Sequence, residues 1–437
     1  MTKKLPRIVS GQIVSLTDDP SRFGKKSVKH YESGSIVIST DGKIEWIGEK
    51  CLLPRSYETL HNENTENLIL PGFVDAHCHY PQYKIIGSYG SDLLEWLQIF
   101  TFPEEAKFSD ESYAFNIAKL FANELAINGV TSAGVYSTNH EDALSAIMEA
   151  GKIRGLHFVA GITSMNRNVP SSLHISVKQL EKLNKKFLEM AKNSFRSKFS
   201  ITPRFAITST PEILEYSGEF LKNNECVVMQ THLNENEDEI SLTKKLFPTA
   251  KNYLDVYDQF GLVTERSLFA HSIFSSEDEI NRLEEAKSSI IHCPTSNTFL
   301  GSGLFDYEKY IHRCINIALG SDVGGGTSFS PFATMGEAYK VAKLISKPVS
   351  AFQTLYWHTL GAAKALKLEN EIGSLEIGKW ADILIIDPEC DPLSKARWNN
   401  TSEIEDKIFG LLFLLPERKS SIKTRLFAGE EYSQFPS

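Results

Sequence analysis

Three absences narrow the class of this chain before any motif is read. No Cys-x-x-Cys pair occurs, and Cys51, Cys78, Cys226, Cys293, Cys314 and Cys390 are scattered through 437 residues. That spacing argues against a disulfide framework and fits reduced thiols in the cytoplasm. Basic excess is missing too. Lys and Arg total 46 against 55 Asp and Glu, a net charge of −9. Nucleic acid is thereby excluded as the main partner, and nothing pulls the surface toward an anionic membrane. Long apolar runs are the third absence. The opening M-T-K-K-L-P-R-I-V-S-G has no signal-peptide core, and 409–415 is far too short to span a bilayer.

What is present is ordinary globular composition, 41% hydrophobic and 23% charged, set out in a regular alternation. Apolar β-rich runs fall at 68–77, 131–136, 153–162, 200–207, 226–233, 267–273, 288–293 and 315–321. Helix-patterned stretches fall between most of them, at 112–128, 139–151, 174–193, 211–223, 236–247, 276–286 and 331–344. Alternation of this kind predicts parallel βαβ units, and the strand count and span are those of an α/β (β/α)8 barrel of the TIM type. An open doubly wound sheet finds no support, because no G-x-G-x-x-G follows the first strand. The ends read differently. Short strands and turns occupy 7–66, with Asp41-Gly42 as a hairpin signal, and 372–387 reads as strand, turn, strand. A small β-sandwich domain built from 1–66 and 369–437 is expected to flank a barrel at 67–368.

The richest chemistry lies in L-I-L-P-G-F-V-D-A-H-C-H, Leu68 to His79. On an extended strand, side chains two apart share a face, so His77 and His79 can aim two imidazoles at one point where a buried strand ends. Barrel active sites gather at the C-terminal strand ends. The fifth run ends in His232, with Glu235 three residues on; the sixth ends in His271 and the eighth in Asp322. Four histidines and two carboxylates thus fall on one face. Three His and one Asp suit a catalytic Zn²⁺, with Fe²⁺ as the alternative, and an open position for water. Zinc brings the pKa of that water to about 7. Glu235 is placed to shuttle protons, and His271 and Asp322 to orient the attacking water. His292, in I-I-H-C-P-T-S-N, reads mainly as structural.

Other residues suggest a pocket for a flat, polar ring. The fourth run ends Thr202-Pro203-Arg204-Phe205, with no lysine to bridge two metals, which favours one ion. Arg204 offers a planar fork of donors for a carbonyl or ring nitrogen, against the plainer reading of a surface ion pair. Gln82 can donate and accept. Phe205, Trp96 and Phe102 are candidates for stacking or simply for the core. Gly324-Gly325-Gly326 suits a tight turn rather than a phosphate loop.

These stretches resemble the amidohydrolase superfamily: P-G-F-V-D-A-H-C-H, the H-x-x-E of the fifth strand, A-H-S, G-S-D and the tail G-S-L-E-I-G-K-W-A-D. Within it, H-C-H-Y-P-Q-Y at 77–83, D-L-L-E-W-L at 92–97, T-F-P at 101–103, T-P-R-F at 202–205, T-H-L-N-E-N at 231–236, K-N-Y-L-D-V-Y at 251–257 and H-C-P-T-S-N at 292–297 look most like its guanine-deaminating members. The resemblance implies one zinc held by His77, His79, His232 and Asp322, with Glu235, His271 and Asp322 catalytic. It implies a substrate pocket of His79, Gln82, Arg204, Phe205, His232, Glu235 and Asp322. It further implies hydrolysis of guanine to xanthine and ammonia, and a homodimer. Tyr80-Pro81 and Ser321 depart from the usual pattern and touch only fine substrate preference. Two rivals stand beside this reading. One is a relative acting on a pterin, triazine, cytosine or adenosine derivative; the other is an inactive scaffold of the same fold. Stretches 85–110 and 163–172 are candidate gates over the pocket.

Overall fold

A computed structural model describes residues 6–90 and 92–432. Its N-terminal part forms four strands: β1 (Arg7–Leu16), β2 (Val28–Ile38), β3 (Ile44–Glu49) and β4 (His61–Pro71). β1, β2 and β3 form an antiparallel meander, while β4 lies parallel to β1. Asp41-Gly42 falls in the turn between β2 and β3, and Gly42 takes the left-handed φ of 86° that a glycine there permits.

The barrel follows. Its strands are β5 (Phe73–His79), β6 (Val130–Tyr136), β7 (His157–Gly161) with the short continuation β8 (Thr163–Ser164), β9 (Ser197–Pro203), β10 (Val228–Leu233), β11 (Ser267–His271), β12 (Ser289–His292) and β13 (Asn316–Leu319). All their ladders are parallel. Helices Glu111–Ile127, Glu141–Arg154, Val177–Lys192, Pro211–Asn223, Glu237–Leu246, Glu277–Ala286 and Pro331–Leu344 pack outside, each within a few residues of its expected place. The chain then returns to the first sheet as β14 (Ile383–Ile386), β15 (Ile422–Phe427) and β16 (Glu430–Glu431). That sheet has seven strands in the order β16-β15-β14-β4-β1-β2-β3, so both ends of the chain build it.

Two sequence expectations need correction. The run 68–77 is not one strand. Leu68–Pro71 belongs to β4 and pairs with β14, and the barrel starts only after Gly72. A Cβ at Gly72 would lie 2.4 Å from the Thr131 side chain. Pro71-Gly72 marks the break locally, and the close approach of β6 leaves room there only for a glycine. The tail 372–387 likewise yields one strand, β14; the segment before it is turns, joined to the sheet by a bridge between Trp380 and Lys43.

An apolar cluster fills the barrel away from the catalytic face. It includes Val74, Val159, Val228, Leu268, Ile291 and Ala318, closed off by Ala362, Leu366 and Leu368. Each large side chain so buried contributes roughly 1.5–3 kcal/mol. The seam between the last and first strands closes just beyond β13. There Asp322 N donates to His77 O at 2.9 Å and His79 N donates to Val323 O at 2.8 Å.

Candidate active site

The seam brings the ends of β5 and β13 together, and β10 and β11 end beside them. His77 Nε2 lies 3.2 Å from His79 Nε2, and His79 Nε2 lies 3.3 Å from His232 Nε2. Asp322 Oδ1 stands 3.2 Å from both His77 Nε2 and His79 Nε2. All four residues are buried. His232 Nδ1–H donates to the Arg204 carbonyl at 2.7 Å, so its Nε2 turns a lone pair inward. Ring nitrogens and a carboxylate oxygen packed this closely have too few protons to satisfy one another. Ligand atoms of His77, His79, His232 and Asp322 lie within 4.8 Å of each other, a set that fits a cation. Cys293 joins His77, His271 and Asp322 in a second, overlapping group of the same kind.

His271 stands beside the set. Its Nδ1–H donates to Asn297 Oδ1 at 2.8 Å, which leaves Nε2 as an acceptor 3.4 Å from Glu235 Oε2 and 3.8 Å from Asp322 Oδ2. His271 and Asp322 hold left-handed backbone, with φ of 69° and 48°. His and Asp tolerate that region better than most residues, and here it aims both side chains at the cluster. Asp75 braces the seam: its Oδ1 accepts from Ser321 N at 3.0 Å and from His77 N at 3.2 Å. Burial, only partly offset by those bonds, lifts the Asp75 carboxyl to about 6.

Glu235 is set by local sequence. Asn236 and Glu239 form a capping box at the start of helix Glu237–Leu246, and Glu239 Oε2 accepts from Glu235 N at 2.9 Å. Burial first, then the Asp322 charge, pushes the Glu235 carboxyl well above the usual range. Burial and the Glu235 charge raise Glu239 to about 7, while its Oε1 accepts from Tyr253 at 2.6 Å. Burial would raise Asp322 as well. Hydrogen bonds from the His77 and His79 rings overcome it and hold Asp322 well below the usual carboxylate range. Burial brings the His79 ring down to about 3, and His232 falls well below its ordinary value for the same reason, reinforced by the neighbouring imidazoles. Two adjacent carboxyls are thus driven apart, one toward the acid and one toward the base.

A pocket opens onto this cluster. His79, Gln82, Arg204, Phe205, His232, Glu235 and Asp322 all line it, as does Trp96. Sequence reasoning missed Leu93, Leu97, Leu300 and Gly325 in the same wall. Phe102 lies under the Arg204 guanidinium, 5.6 Å from it, rather than in the wall. His292 stacks on Phe305 at 4.5 Å, a packing contact. The residue most plainly missed is Glu105. Arg204 Nη1 donates to both its oxygens at 2.8 Å, and Gln82 Nε2 donates to Oε1 at 3.1 Å. Its one sequence signal is a pair of acids closing the otherwise apolar W-L-Q-I-F-T-F-P-E-E.

Comparison with known proteins agrees with this geometry. The sequence model of the amidohydrolase family matches residues 68–412. The guanine deaminase of Escherichia coli strain K12 is 38% identical over 94% of each chain. Its solved structure superposes with a TM-score of 0.92 at 35% identity, over 99% of this chain and 100% of that one. A guanine deaminase from C. acetobutylicum, solved with guanine in its active site, has a TM-score of 0.90 at 28% identity, over 98% and 100% of the two chains.

Proposed function

This chain belongs to the amidohydrolase family, and on that premise we propose that it is a guanine deaminase, converting guanine and water to xanthine and ammonia. One observation carries the reading. A single pocket holds a cation-ready His/Asp cluster, a carboxyl raised well above its usual range and an arginine with donors unpartnered among the described residues.

We assign the metal to His77, His79, His232 and Asp322, with zinc as the ion. When bound, zinc supplies a Lewis acid and acidifies water enough for attack near neutral pH. The rest is the work of side chains. Arg204 Nε and Nη2 have no protein partner among the described residues and face the ring carbonyl of guanine. Gln82 Oε1 is already taken by Gly324 N, at 3.2 Å, so Gln82 presents an amide hydrogen to the base. Phe205 and Trp96 pack on the ring. The amidine-like C2 is thereby turned toward the cluster. Glu235 takes a proton from the attacking water and gives it to ring N3. His271 and Asp322 hold the oxygen that adds to C2. Transfer of a second proton to the exocyclic nitrogen lets ammonia leave and restores Glu235. The cytoplasm and a homodimer belong to the same reading. The free cysteines support the first, and no helix among the described residues is long and apolar enough to cross a membrane.

The test is direct. Purified protein is expected to convert guanine to xanthine, followed by ultraviolet absorbance. Glu235→Gln should lose about 10²–10⁴-fold in kcat while keeping its metal. A metal-loaded wild-type protein inert to guanine would overturn the assignment.

A further inference from the structure

We infer that Glu105 is a specificity-determining positioning residue, which locks the pocket into an all-donor edge and so selects a base bearing a carbonyl there. The inference rests on the guanine reading above and adds to it the residue that sets its selectivity. Glu105 is fully enclosed, at 0% exposure, and closes the short helix Phe102–Glu105. It does not line the pocket. It acts through the two residues that do.

Consider what its carboxylate does to each. An ionised carboxylate only accepts, so both neighbours must point donors at it. Arg204 spends Nη1 alone, at 2.8 Å to each oxygen, which fixes the guanidinium plane and leaves Nε and Nη2 for a ligand. Gln82 spends one Nε2 hydrogen, while its Oε1 accepts from Gly324 N. A flip of that amide would set oxygen against carboxylate and NH₂ against N–H, so two repulsions oppose it. What Arg204 and the Gln82 amide nitrogen turn toward the base is therefore N–H. A ring carbonyl meets partners there; a ring amino group meets hydrogens. Selection by leaving buried donors unpaired is far steeper than selection by fit.

The test compares the wild type with Glu105→Gln, Arg204→Gln and the double variant. Each is assayed for kcat/KM on guanine, for zinc content, and for competitive inhibition by hypoxanthine, which keeps the carbonyl, and by unsubstituted purine, which lacks it. We expect Glu105→Gln to lose about 100-fold or more on guanine, with hypoxanthine weakened in parallel and purine changed less than about threefold. Because Glu105 works in part through Arg204, adding Glu105→Gln to Arg204→Gln should cost clearly less than it does in the wild-type background, the remainder being the share held through Gln82. The double variant buries no unpaired charge, so it keeps a folded, metal-bound protein available should a single variant fail to fold. Equal weakening of hypoxanthine and purine, full additivity, or loss of zinc would each overturn the inference. If the wild type deaminates guanine and Glu105→Gln does so equally well, the positioning role alone fails. If the wild type is inert, the functional reading fails first.

Discussion

Strand β9 carries an arginine at each end, and the two are buried in opposite ways. Arg196, just before the strand, meets Asp382 at 2.7 Å with 1% and 3% of the two side chains exposed. Arg204, just after it, meets Glu105 at 2.8 Å with 3% and 0% exposed. By burial and distance the pairs are near twins. Their surroundings differ. Asp382 also accepts from Ala428 N at 2.8 Å and precedes β14, so the first pair rivets the terminal sheet to the foot of the barrel. Arg196 Nε and Nη1 are sealed away with no hydrogen-bond partner among the described residues. Arg204 instead lines the pocket, and its Nε and Nη2 have no hydrogen-bond partner among the described residues. An ion pair enclosed by protein serves the fold; one beside a pocket is placed to serve a ligand. Barrels divide their ends in this way, stability at the N-terminal face and chemistry at the other.

That division can be broken in order of expected size. Arg196→Met should cost about 3–5 kcal/mol in chemical denaturation, because it strands a buried carboxylate, while kcat of the folded fraction stays unchanged. A fall in kcat with stability intact would reverse the assignment of the two ends. Arg204→Gln should cost about 2–3 kcal/mol in transition-state binding, read as kcat/KM on guanine, with metal retained. Near-normal kcat/KM would move base recognition elsewhere in the pocket.

The smallest effect concerns pH at the foot. Burial holds His157 well below its ordinary value and brings His358 down to about 4. Well above about 6.5 the imidazoles are neutral in the unfolded chain as well as in the fold, so neither contributes to a slope there. Below it the unfolded chain takes up protons that the folded chain refuses, and stability falls as pH falls. Each residue adds about 1.4 kcal/mol per pH unit, and for His358 the loss levels off below about pH 4. His157→Gln should flatten the denaturation slope between pH 6.5 and 5 by about one proton. An unchanged slope would mean that His157 is protonated in the fold.

Much of this was legible in the chain, and the exceptions share a cause. Helix 211–223 was readable to the residue, because Pro211 opens it and its apolar faces repeat. His77, His79, His232, His271 and Asp322 were readable because each closes an apolar run, and a barrel brings all such ends to one face. Gly72 was only half readable as a boundary. Pro71-Gly72 interrupts the apolar run from Leu68 to Val74, but which sheet each half joins depends on β14 and β6, both distant in sequence. Glu105 stayed hidden for the same reason. Beside Glu104 it looks like a solvated acid, and its role appears only once Arg204, distant in sequence, arrives over it. Asn297, inside a motif already singled out, had no visible task until His271 Nδ1 was placed against it. Local pattern reveals what a residue is next to in sequence; these three depend on what folding places beside them.

The seam at Asp322 carries a last consequence. The hydrogen bond from Ser321 N to Asp75 joins positions 246 residues apart, and the ligand cluster sits across that same join. A half-synthesised or half-folded chain owns His77 and His79 but not their partner. The complete cradle exists only when the ring has met itself, so a metal held there, as proposed above, would bind only to a chain whose barrel is closed. An apoprotein, correspondingly, should be first to open where its earliest and latest barrel strands touch.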